Sequence, residues 1–210
     1  MIRALAFGLA ALLALTAQTA PTTPEAASVI AAASDRNAAL QHFTFAVEAH
    51  IALLTFPWIR FTMHGHGTYT RHGEYTVHFD DVPWFGKSFD TMPMNALDLA
   101  EWPSLYTMSV AQQTDTQTVL LMHDVKKSPL VDARATIDDT QGLREILWTY
   151  DYGGHVKLTI VPQFVGGYYL PANEEAEIVM PHYRAMAWAI FSDYHVSTSP
   201  PASEGAIVSH

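Results

Sequence analysis

Period-two hydrophobic patterning predicts a mainly β chain: an antiparallel sheet with one wet face and one apolar face, curved around something greasy. Three observations carry this class. Between Phe43 and Phe79, apolar residues take alternate positions in three consecutive runs: Phe43, Phe45, Val47, Ile51 and Leu53; Ile59, Phe61, Met63 and Tyr69; and Tyr75, Val77 and Phe79. The positions between them are polar (Thr44, Glu48, His50; Arg60, Thr62, His64, His66, Thr68, Thr70; Thr76, His78, Asp80), as half-buried strands require. Further runs of strand length follow, punctuated by turn residues such as Asp138-Asp139-Thr140-Gln141-Gly142 and Gly153-Gly154.

The N-terminus reads as a secretory signal over residues 1–20. Met1-Ile2-Arg3 supplies the charge, Ala4 to Leu15 a short apolar run, and small residues follow at Thr16, Ala17, Thr19 and Ala20. The run is too short to span a bilayer comfortably, so cleavage is expected near Ala17 or Ala20. A single domain is then expected over 21–196, and the Pro- and Ser-rich stretch 197–210 reads as a disordered tail. The chain contains no cysteine, which excludes disulfides, thiol nucleophiles, Cys-ligated zinc and a cysteine-borne lipid anchor. The expectation is therefore a soluble monomer beyond the inner membrane. A net charge of −10 argues against nucleic acid or an anionic membrane surface as partner. Hydrophobic content of 49% against 15% charged is high for a soluble domain and fits apolar surface on two layers.

Taken in order, Thr23 and Pro24-Glu25 read as the cap and first turn of a helix running from Ala26 to Leu40, with Val29, Ile30, Ala33 and Leu40 available for one face. Phe56-Pro57 marks the first turn of the three strands. At the second, a three-residue loop His72-Gly73-Glu74 keeps Tyr69 and Tyr75 on one face. From Trp84 to Pro103 the strand period disappears, and Asn95 to Glu101 reads as one or two helical turns capped by Asn95. Strands resume at Leu105 to Gln113, Gln117 to Val125, Leu130 to Asp138, Leu143 to Tyr152, His155 to Val161, Tyr168 to Met180 (interrupted near Pro171) and Arg184 to Val196. The total is about eight to ten antiparallel strands and two helical segments.

This order, together with particular stretches, resembles the periplasmic lipoprotein-carrier (LolA/LolB-like) proteins, often labelled outer-membrane lipoprotein-sorting proteins. The stretches are Gly67-Thr68-Tyr69-Thr70-Arg71 leading into Tyr75-Thr76-Val77-His78-Phe79, Val131-Asp132-Ala133 with Gly142-Leu143-Arg144, Tyr150-Asp151-Tyr152-Gly153-Gly154, and Gly166-Gly167-Tyr168-Tyr169-Leu170-Pro171. The resemblance implies an open, unclosed β-barrel whose concave face holds acyl chains of a lipid or lipoprotein beneath a helical lid. It also implies a membrane-protein donor or acceptor, and an arginine after the second strand, here Arg71, that latches the lid. The chain lacks the carrier's Arg-Pro-x-x-Phe-x-Trp run: His72 stands in the place of the proline.

The candidate groove is Phe43, Phe45, Val47, Phe61, Met63, Tyr69, Tyr75, Val77, Phe79 and Met108, which could equally be a plain core covered by the N-terminal helix. The candidate lid is Trp84, Phe85, Phe89, Met92, Met94, Leu97 and Trp102, on a connection longer and greasier than a linker needs. His64, His66, His78 and Asp80 would share the polar face with Glu48 and His50. Such a cluster can hold zinc or copper, but a solvated face is the simpler reading, and no metal or other cofactor is expected. No Gly-x-Ser-x-Gly or His-Glu-x-x-His motif is present, and the glycine pairs open no helix, so catalysis is not expected. The function expected is passive burial of acyl chains. The alternatives are a sensor or interaction module on the same scaffold without a transported ligand and, less favoured, a histidine-based metal-dependent enzyme.

Overall fold

A computed structural model describes residues 21–84, 90–94, 97–126 and 129–199. The expected signal segment, Phe85, Phe89, Asn95 and the tail beyond Ser199 lie outside the described residues. Helix α1 (Pro24–Asp35) precedes β1 (His42–Leu53), β2 (Arg60–Thr70), β3 (Tyr75–Phe79) and a short β4 (Thr91–Pro93). A single turn, α2 (Trp102–Leu105), leads into β5 (Tyr106–Gln113), β6 (Gln117–Asp124), β7 (Leu130–Asp138), β8 (Gly142–Tyr150), β9 (Gly154–Val165), β10 (Tyr168–Met180) and β11 (Tyr183–Ser197).

The eleven strands form one unclosed antiparallel sheet, ordered β4-β3-β2-β1-β11-β10-β9-β8-β7-β6-β5. Sheet order follows chain order, with two departures. The first and last strands pair in mid-sheet, Val47 opposite Phe191 and Ala49 opposite Ala189. The edges are β4 and β5, so the connection between them joins one edge of the open sheet to the other. That topology, rather than length alone, places the described residues 94 and 97–101 between the two edges of the sheet.

The apolar interior has two centres. Under α1, Ala26, Ile30 and Ala33 meet Trp102, Met108, Leu120, Met122, Ala135 and Ile146. The i, i+4, i+7 spacing puts the three helix residues on one face, and two of them are alanines that permit close approach. Thr23 caps the helix, accepting the Ala26 N–H at 3.3 Å, with Pro24 at the first helical position. The Thr23 N–H donates to the Met108 carbonyl at 2.9 Å and Thr22 Oγ1 accepts the Met108 N–H at 3.1 Å, which fastens the helix start onto β5. The second centre is aromatic and lies between β1–β3 and the facing ends of β10 and β11.

Three features differ from the sequence reading. Helix α1 covers β5–β8 and not the aromatic face of β1–β3, because its N-terminal anchor is on Met108. Leu40 lies past the helix end and enters the aromatic centre instead. The internal helical turn falls at Trp102–Leu105, with Pro103 in its first turn where a missing N–H costs nothing. The eleventh strand is β4, whose Met92 pairs with Val77 inside the segment that showed no alternation.

Candidate apolar ligand site

The concave face of β1 changes character along its length. At one end Phe43 and Phe45 pack with Tyr69, Tyr75, Phe191 and Tyr194. Phe43 stacks on Tyr69 at 4.8 Å between centroids, and Phe45 lies 5.4 Å from Phe191. Gly67 makes this packing possible: a Cβ there would fall 1.9 Å from the Phe45 ring, so only glycine lets the ring lie across β2. These rings pack against one another and occupy most of this end.

Two residues further along the same face the wall becomes hollow. Ala49 on β1 pairs with Ala189 on β11, and Ala187 on β11 pairs with Ala176 on β10. With Ala185 they form a floor of methyl groups where the other end has rings. Val47, Ile51, Phe61 and Met63 form one side, Val156, Leu158 and Trp148 the other, and Val77 and Phe79 extend it toward β4. The space enclosed is about 640 Å³, within the usual range for ligand cavities. Toward the β1–β2 and β10–β11 turns it is bordered by Leu53, Ile59, Ile178 and Tyr183. Beyond them the exposed Leu54, Phe56 and Trp58 decorate the β1–β2 hairpin.

Met92 on β4, and Met94 and Leu97 on the connection that follows it, complete the lining. Methionine suits a wall that must conform to variable apolar shapes. Trp84 and Trp102, read in sequence as part of the same lid, part company: Trp84 is 84% exposed, whereas Trp102 is fully buried beneath α1.

Among the described residues one charged side chain lines the cavity: Glu174 on β10. It is 8% exposed, and its Oε1 has no hydrogen-bond partner within the protein. Burial alone pushes its carboxyl up to about 7, since an ionised carboxylate here would forfeit its hydration. Glu174 and Leu97 also line a second, smaller space of about 150 Å³, bordered by Arg36, Asn37, Tyr69, Arg71, Tyr75 and Asp98. There Arg71 Nη1 donates to the Asn37 carbonyl at 3.1 Å, tying the end of β2 to the turn after α1. Burial and a hydrogen bond to the Asp98 carboxylate push the Tyr69 hydroxyl up to about 12.

The convex face of β1–β3 carries the histidines. Register places Glu48 opposite His64 and His66 opposite His78. Asp81 clamps His64, accepting its N–H at 2.6 Å and its Nδ1 at 2.8 Å, which raises the imidazole and lowers the carboxyl. His66 lies 3.7 Å from Asp80 and stacks on His78. Among the described residues no group of three or more such side chains is arranged to hold a metal ion.

The residues read in sequence as groove thus separate. Val47, Phe61, Met63, Val77 and Phe79 line the cavity, while Phe43 and Phe45 fill the aromatic end. Tyr69 and Tyr75 border the smaller space, and Met108 sits in the core under α1, too far round the sheet to reach the cavity. Sequence reading missed the alanine floor and Glu174. The signal for Glu174 was its alternation with Ala176 and Ile178, masked by Glu175 and Glu177 in the opposite phase.

No family model and no curated protein matches this chain. Solved structures do match. A LolA superfamily protein from Nitrosomonas europaea superposes with a TM-score of 0.60 at 10% identity, covering 83% of this chain and 94% of that one. A domain described as an outer membrane lipoprotein-sorting protein, from Vibrio parahaemolyticus, gives 0.59 at 11% identity, covering 83% and 94%. A DUF1329 family protein from Desulfovibrio piger gives 0.59 at 9%, covering 81% and 92%. The chain has a LolA-like fold.

Proposed function

We propose that this protein is an exported, non-enzymatic carrier or binder of acyl chains, burying them in the alanine-floored cavity. The single observation that supports this most is the cavity itself: about 640 Å³ of space, apolar except for Glu174, inside a sheet whose other end is filled. Burial contributes about 0.8 kcal/mol per methylene, so a handful of methylenes gives useful affinity without specific polar contacts. The mechanism is passive. The segment bearing Met92, Met94 and Leu97 yields, a chain enters, and release follows from transfer to a partner with higher affinity. Arg71 acts as a latch by holding the strand end near that segment to the turn after α1. The exposed Phe56 and Trp58 beside the cavity suit a face presented to a membrane-borne donor or acceptor.

An N-terminus that reads as an export signal supports a place in the cell envelope, and among the described residues no helix is long and apolar enough to cross a membrane. The mature protein, purified without detergent, is weighed by native mass spectrometry and its lipids extracted. A bound acylated species released on denaturation is the expected result. A clean apo mass with no uptake of added phospholipid, fatty acid or acylated peptide would leave the fold serving as an interaction module.

A further inference from the structure

A buried carboxyl at the inner end of an otherwise apolar cavity has a preference about what enters. Glu174 pairs across the sheet with Ala189 and Ile160, at the junction between the hollow and the aromatic end. From there β10 runs four residues to Ile178 near the turns, a span of about 13 Å at 3.3 Å per residue. A lipoprotein or phospholipid entering tail first would place methyl groups against Glu174 and leave its oxygens unpartnered.

We propose that the cavity takes a free long-chain fatty acid, inserted head inward, with its carboxyl group seated against Glu174. This rests on the acyl-binding reading and narrows it to single-chain acids. A protonated Glu174 offers one O–H donor and one carbonyl acceptor; a second carboxyl satisfies both when protonated, and takes the O–H alone when ionised. Two carboxyls sharing one proton is a familiar arrangement in buried sites. An ester accepts but cannot donate. An ammonium would require two unscreened charges in apolar surroundings, which desolvation opposes.

Hexadecanoic acid and its methyl ester are titrated calorimetrically into the full mature chain and into Glu174→Leu and Glu174→Gln. The acid is expected to bind the native protein at least tenfold more tightly than the ester. In Glu174→Leu that preference disappears while the ester binds as well as before or better; in Glu174→Gln, which retains a donor and an acceptor, part of it survives. Retained ester binding also shows that the variants are folded. Equal binding of acid and ester by the native protein, or a preference that survives Glu174→Leu, overturns the carboxyl seat and leaves chain burial standing. If neither ligand binds the native protein, the acyl-binding reading fails and takes this proposal with it.

Discussion

The two ends of the concave wall are built on the same strands; they differ in side-chain size and in a shift of the β1–β11 register between Thr44 and Ala46, at the aromatic end, where Asp193 takes a φ of 52°. Phe43, Phe45 and Phe191 close one end; Ala49, Ala187 and Ala189 floor the other. The cavity is therefore a property of a few small residues brought opposite one another by register, and exchanging ring for methyl should exchange filled for hollow.

Phe45→Ala should have the largest effect, since it opens a void in a tightly packed cluster: a loss of about 3–5 kcal/mol in urea unfolding. A loss below about 1 kcal/mol would mean that the aromatic end is as yielding as the hollow one. The mirror substitution, Ala187→Phe, should leave stability within about 1.5 kcal/mol, because the ring enters space that exists already. Displacing about four methylenes of ligand should weaken chain binding by about 3 kcal/mol, roughly a hundredfold.

Glu174 sharpens the comparison through pH. Its folded carboxyl titrates at about 7, against about 4.3 for an unfolded glutamate. Between these values the folded state keeps a proton that the unfolded state releases, so stability falls as pH rises through that window. Full ionisation costs about 4 kcal/mol, and well above pH 7 no more is lost. Glu174→Gln should abolish this dependence, nearly matching the native protein at pH 4 and exceeding it by about 4 kcal/mol at pH 8. Parallel pH profiles for the two proteins would mean that water reaches the carboxylate.

The smallest effect belongs to Arg71→Leu, which removes the donor to the Asn37 carbonyl. It should cost about 1 kcal/mol of stability and raise the stopped-flow release rate of a bound fatty acid severalfold. An unchanged release rate would reduce Arg71 to a strand-end tie.

Alternation made the strands and the inward set of β1–β3 legible, down to the Tyr69–Tyr75 pairing across the His72 turn. The cavity was not legible, for a physical reason. An alanine in a strand reads as neither core nor surface, and Ala49, Ala176, Ala187 and Ala189 acquire meaning only when register sets them side by side. The seat of α1 was hidden likewise, because Thr22 and Thr23 carry no mark of the strand they bind. Trp102 shows the limit of reading composition: one aromatic-rich segment contributes both to a cavity cover and to a distant core.

The central claim is that an acyl chain lies in the hollow end and nowhere else. Of the five tryptophans, Trp148 and Trp188 border the cavity, but the Trp188 ring is turned outward onto His50; Trp102 is under α1, and Trp58 and Trp84 are exposed. Titration with a mid-chain dibrominated fatty acid should quench Trp148 fluorescence saturably. That quenching should vanish in Trp148→Phe and be strongly weakened in Ala187→Phe. Quenching of equal depth in all three proteins would place the chain on the outer surface and contradict the account.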